Sequence, residues 1–134
     1  MLPPGAGLVD GAGEMAEAGG LVQYVVVRGD LRALGWTLGA LVAQACHGSV
    51  AAIQLFRDDP DTQAYLQQLD SMTTVVLEAP DEGTLTRLSQ TLTEATVVHK
   101  LWIEQPENTA TCLALKPYPK EQVQKLLKKL KLLK

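Results

Sequence analysis

From residue 21 onward the chain alternates between short β-branched runs and longer apolar stretches with helical spacing, and this alternation sets the expected elements. Leu-Val-Gln-Tyr-Val-Val-Val-Arg at 21–28 is apolar at consecutive positions, the pattern of a strand covered on both faces, and Gly29-Asp30 ends it. Thr37 can cap a helix over about 39–56, ahead of Asp58-Asp59-Pro60. That helix is apolar almost all round, which predicts that it lies deep in the domain. A shorter helix is expected over 61–69 and a second strand over 72–78. Another helix follows to about Glu94, with Leu85, Leu88 and Leu92 at helical spacing. Stretches 97–103 and 111–115 read as the third and fourth strands, joined by a loop over 104–110. After the breaks at Pro117 and Pro119, a last helix from Glu121 sets Val123, Leu126, Leu127, Leu130 and Leu133 on one face and lysines on the other.

The order β-α-α-β-α-β-β-α predicts an α/β fold with one four-stranded mixed sheet flanked by helices. Strands separated by helices imply right-handed crossovers and parallel pairing, whereas the short connection between the last two strands permits an antiparallel pair. A chain of 134 residues suits a single domain. Residues 1–20, rich in Gly and Ala and without periodicity, are expected to form a disordered tail, leaving 21–134 as the domain.

Hydrophobic residues make up 46% of the chain and aromatics only 4%, so the core must be aliphatic and any base-stacking surface small. No apolar run is read as reaching the ~18 residues of a membrane span. The first twenty residues contain no Arg and carry Asp10, Glu14 and Glu17, unlike a signal peptide or presequence, so a cytoplasmic protein without membrane contact is expected. Cys46 and Cys112 are expected as buried free thiols, too few to hold zinc without distant histidines. The net charge of −3 hides an asymmetry: residues 116–134 hold seven lysines against Glu121 alone. Such a basic end can steer a polyanion, or it can reflect the preference of a helix C-terminus for cations.

On the long apolar helix, Ala40, Gln44, His47 and Ala51 are spaced four, three and four residues apart and share a face, with Gln44 and His47 one turn apart. Two polar groups on a helix otherwise almost without them are either satisfied at the edge of the core or placed for chemistry. The position directly after the first strand favours the second reading, since open α/β sheets hold ligands at the carboxyl ends of their strands. There is no Gly-rich phosphate loop and no Ser in a nucleophile elbow, and Cys46, about 100° round the helix from His47, is expected to face the core.

Several motifs in register resemble the type II peptidyl-tRNA hydrolases. They are Arg28-Gly29-Asp30-Leu31, Val42-Ala43-Gln44-Ala45-Cys46-His47, Glu78-Ala79-Pro80-Asp81-Glu82, Thr111-Cys112-Leu113-Ala114-Leu115 and the Leu130-Lys131-Leu132 ending. The resemblance covers about residues 21–134 and implies cleavage of the ester joining a peptide to tRNA, with no metal or cofactor. It puts His47 at the family His, Thr111 at the strand-four Thr and Glu104 where an Asp is expected, while Ala40 stands where the family has Lys. Lys100 and Lys116 are the candidates for a replacement charge. On this reading His47 is the general base, Glu104 orients it, Thr111 or a backbone amide helps bind the oxyanion and Gln44 positions the ester. Arg28 and Asp30 add substrate contacts, and Lys125, Lys128 and Lys129 meet tRNA phosphates. The alternative is an RNA-binding or adaptor domain that kept the scaffold after losing the Lys, and a third is a protein-binding module docking through the C-terminal helix. The sequence leaves the oligomeric state open, a homodimer included.

Overall fold

The computed structural model describes residues 20–134, so the expected tail lies outside the described residues except for Gly20. Strand β1 (Leu21–Arg28) is the centre of the fold, and its consecutive apolar residues are shared between two layers, as the pattern requires. Val22, Tyr24 and Val26 enter one core and Val25 and Val27 the other. Helices α1 (Leu38–Leu55) and α2 (Pro60–Leu66) carry the chain across to β2 (Thr74–Ala79), which lies parallel to β1. Helix α3 (Glu82–Glu94) then leads to β3 (His99–Glu104), whose antiparallel partner β4 (Thr109–Leu115) returns beside β1. Helix α4 (Lys120–Leu127) packs through Val123 and Leu127 into the core that α3 covers, so α1 stands on one face of the sheet and α3 with α4 on the other.

The α/β class and the mixed sheet stand, but the strand count and order are corrected. Among the described residues six strands form the sheet, in the order β3-β4-β1-β2-β6 (Lys131–Leu132), with β5 (Tyr118–Pro119) against β1. The sixth, β6, pairs antiparallel with β2, so the chain order becomes β-α-α-β-α-β-β-β-α-β. The leucines explain why the last helix is shorter than its spacing suggests. Leu126 and Leu130 pack into the α3 side, whereas Leu133 packs on the α1 side and its amide donates to the Val76 carbonyl at 3.0 Å. Residues one turn apart on a helix cannot reach opposite faces of a sheet, so the chain leaves the helix after Leu127 and wraps the edge of β2.

Helix α1 is not deep in the domain as expected. Its inward line is Leu41, Gln44, Gly48 and Ala52, while Leu38, Val42 and Val50 on its outer side are exposed. Cys46 lies on that outer side and is exposed, which corrects its expected burial, whereas Cys112 is buried. By length and composition α1 is apolar enough to cross a membrane, contrary to the expectation that no stretch is. Here its inward line packs on the sheet.

Gly48 permits the closest approach of helix and sheet. A Cβ there would lie 2.7 Å from Cys112 Sγ and 3.7 Å from Ala114 Cβ, and Cys112 is fully enclosed. Gly48→Ala gains ~1 kcal/mol of helix propensity. It also forces α1 off β4, an overpacking that costs ~1–3 kcal/mol. The net expectation is a melting temperature lower by roughly 4–8 °C, read by calorimetry. An unchanged transition would mean that lifting the helix costs no more than the ~1 kcal/mol of propensity gained.

Candidate functional site

The site is built at the carboxyl end of β1, where α1 begins. Thr37 caps the helix by accepting the Ala40 amide at 3.1 Å, as its hydroxyl suggests. Ala40 is half-buried in the first turn. One turn later Gln44, only 4% exposed, points into the sheet. Its Oε1 accepts the Thr111 hydroxyl at 2.7 Å, and its backbone carbonyl accepts the Cys112 thiol at 3.1 Å. His47 follows on the rim, exposed, with its ring tilted against Trp102 at 5.2 Å between centroids. The indole nitrogen of Trp102 donates to Glu104 Oε1 at 3.0 Å.

The structure thus brings together the four residues expected around the chemistry, with two roles changed. Thr111 is 0% exposed and its hydroxyl is held by Gln44, so it supports Gln44 from below and does not bind an oxyanion itself. Glu104 binds the indole of Trp102, so its hold on His47 runs through that ring. Sequence reasoning passed over Trp102. The signal was its alternation with Lys100 and Glu104 on β3, which puts all three on one face.

Thr111 and Cys112 are neighbours on β4, yet both bond to α1. An undistorted strand would send them to opposite faces. The pairing explains it: Trp102 lies opposite Cys112 but Ile103 lies opposite Ala110, so Thr111 is the extra residue of a β-bulge. Cys112, next to it, has its thiol pushed up to about 12 by burial, so it is a neutral thiol and no nucleophile.

Arg28 and Asp30 are corrected from substrate contacts to scaffold. Arg28 is 7% exposed, and its guanidinium donates to both Asp30 carboxylate oxygens at 3.0 and 2.9 Å, to Thr109 Oγ1 at 3.0 Å and to the Ala110 carbonyl at 3.2 Å. Lys116 likewise supplies no charge to the site. It stands five residues on from Thr111, just past the end of β4, ~17 Å at the rise of an extended strand. There it is 5% exposed, bonded to Asp59 at 3.0 Å and Asp61 at 3.1 Å and lying over the Tyr118 ring at 3.7 Å. Lys100 is half-buried on β3, opposite Ala114.

Lys125, Lys128 and Lys129 are exposed on and after α4, across the sheet from His47. Lys129 and Lys131 border a cleft of about 260 Å³ with Glu78 and Pro80. This cleft shares a level with the His47 site, since Trp102, Cys112, Val27, Glu78 and Lys131 form one transverse row across five strands. Four strand spacings separate its ends by ~19 Å.

Residues 21–133 match the family model described as peptidyl-tRNA hydrolase PTH2. The chain is 57% identical over 121 residues to a human protein named "Putative peptidyl-tRNA hydrolase PTRHD1", covering 89% of this chain and 86% of that one. The mouse protein of the same name is 57% identical over 116 residues, covering 85% and 83%. A Dictyostelium discoideum protein, "Probable peptidyl-tRNA hydrolase 2", is 34% identical over 123 residues, covering 87% of this chain and 56% of its own length.

Proposed function

The chain belongs to the peptidyl-tRNA hydrolase PTH2 family, and from that membership we propose that it hydrolyses the ester joining a peptide, or an N-blocked amino acid, to tRNA. The observation that carries the reading is an exposed imidazole, His47, on the rim of the sheet beside Trp102 and above a buried Gln44–Thr111 pair. His47 takes a proton from water as the water oxygen adds to the acyl carbon. The proton then passes to the ribose oxygen as the ester bond breaks, leaving a tRNA hydroxyl and a carboxylic acid that loses its own proton to solvent. Glu104 fixes Trp102, and Trp102 fixes the plane of the imidazole. With Oε1 of Gln44 engaged by Thr111, its amide nitrogen is the donor offered to an oxygen of the ester. Lys125, Lys128, Lys129 and Lys131 meet phosphates further along the tRNA, and binding weakens with salt by roughly 0.7–0.9 in log–log slope for each phosphate neutralised.

The test is turnover of N-acetylated aminoacyl-tRNA by the purified protein, followed as release of the acyl group. Saturable binding of the tRNA with no release above the uncatalysed rate would leave only a binding domain.

The family Lys adds a second measurement. Ala40 is half-buried in the first turn, two turns from His47, and a lysine there can reach water along its stem. The positive end of the helix dipole makes the ammonium unfavourable by ~0.3–1 kcal/mol. Ala40→Lys is therefore expected to keep the melting temperature within a few degrees while a donor near the developing oxyanion raises turnover about 10-fold or more. A well-folded variant with unaltered turnover would mean that the reacting ester does not lie over the start of α1.

A further inference from the structure

The bulge that aims Thr111 at Gln44 is paired to β3 on either side, but toward β1 no strand holds it, because the β1–β4 ladder ends at Val27 and Cys112. Beyond that point two side chains take the place of a strand. Glu82 Oε2 accepts the Ala110 amide at 2.9 Å and the Thr109 hydroxyl at 3.1 Å. Arg28 Nη1 donates to the Ala110 carbonyl at 3.2 Å and to Thr109 Oγ1 at 3.0 Å, and lies 4.0 Å from Glu82 Oε1. Both backbone polar groups of Ala110 are therefore gripped by an ion pair, and Thr111 is the next residue. A bulge leaves its extra residue free to be turned, and what fixes the residue before it decides the direction.

We propose that Glu82, with Arg28 behind it, is a positioning residue: by clamping Ala110 it sets the bulge that turns Thr111 toward α1, and so orients the Gln44 amide at the ester. The proposal rests on the hydrolase reading for its kinetic consequence, but the clamp itself is a matter of backbone geometry. Asp81, not Glu82, caps α3 by accepting the Thr84 amide, so Glu82 is not needed to start the helix. Its side chain is 46% exposed, so shortening it opens no cavity.

Two Glu82 variants separate positioning from bulk stability. Glu82→Gln keeps an oxygen that can accept both bonds, whereas Glu82→Ala removes it. Misplacing a group near the chemistry by about 1 Å can cost ~10²-fold, and a support acting through Thr111 should cost about 10-fold. The experiment compares kcat and KM for N-acetylated aminoacyl-tRNA in the wild type, Glu82→Ala, Glu82→Gln, Thr111→Val and Glu82→Ala/Thr111→Val, alongside hydrogen exchange at the Ala110 amide. The expected result is a lower kcat with little change in KM for Glu82→Ala, near-wild-type kcat for Glu82→Gln, and no further loss from Glu82→Ala once Thr111 is Val. The Ala110 amide should exchange faster in Glu82→Ala and stay protected in Glu82→Gln. Full turnover in Glu82→Ala, or a loss that adds in full to that of Thr111→Val, would overturn the proposal. A wild type without turnover defeats the hydrolase reading instead, and the clamp then stands or falls on the exchange measurement: an Ala110 amide equally protected in Glu82→Ala overturns it.

Discussion

Replacing His47 with Ala is expected to lower turnover of N-acetylated aminoacyl-tRNA by ~10²–10⁴-fold, the usual contribution of a positioned general base. The fall should lie in kcat, because the imidazole meets the attacking water while the tRNA body is held elsewhere. Stability should barely change. His47 is exposed, and its loss removes one tilted stack on Trp102, worth ~0.5–1.5 kcal/mol at most. Cys46, also exposed on α1, provides the control. Cys46→Ser should leave turnover intact, since the thiol lies on the outer side of the helix. A His47→Ala protein as active as the wild type would remove the general base from the mechanism and with it the role given to Trp102.

The largest effect on stability is expected from Lys116→Met. The ammonium is enclosed, bonded to Asp59, Asp61 and the Pro117 carbonyl, and stacked on Tyr118. Removing one partner from a fully buried ion pair costs ~3–5 kcal/mol. Here the two carboxylates are 30% and 39% exposed and can regain water, so a loss nearer ~2–3 kcal/mol is expected, or about 10 °C in melting temperature. The acid limb of the stability curve supplies an independent check. Burial alone would raise Asp59, but the bond from Lys116, the Thr62 amide, the charge of Lys116 and the Asp61 amide outweigh it and hold this carboxyl below its usual value. A carboxyl lowered on folding adds stability that is complete above its unfolded pKa of ~3.9 and disappears as pH falls through the lower folded value. The wild type should therefore lose stability below about pH 4, and Lys116→Met should lose less over the same range. Parallel acid curves for the two proteins would show that Lys116 does not set the ionisation of Asp59.

How much of this was legible in the sequence depended on whether a residue's partner lies nearby along the chain. The centre of the sheet was readable because β1 is β-branched at consecutive positions, and the cap of α1 because Thr37 acts on an amide three residues away. His47 and Gln44 were picked out together because one helix carries both. Thr111 was found by motif, but its role was misjudged, since the bulge that buries it arises from a mismatch with β3 that no local pattern records. Arg28 was read as a substrate contact at a strand end, and only the fold brings it to Thr109, 81 positions on. The end of the chain failed for a different reason. Leucines at 126, 130 and 133 fit a helix face as well as they fit a short helix followed by a wrap around β2, and tertiary packing chose between the two.

That wrap also bears on how the protein behaves in a crowded solution. An open sheet has two borders where unpaired amides and carbonyls invite strands from other molecules, and flat apolar borders are where aggregates begin. On one border β3 carries Lys100 and Glu104, and its pairing with β4 is interrupted by the bulge at Thr111. On the other, β2 reads Thr-Val-Val-Leu-Glu-Ala, a run with high strand preference, and two residues of β6 cover its outer side with Lys131 placed against Glu78. Residues 131–133 therefore work as a gatekeeper along Val76, Leu77 and Glu78, where they occupy the backbone groups that a foreign strand would need.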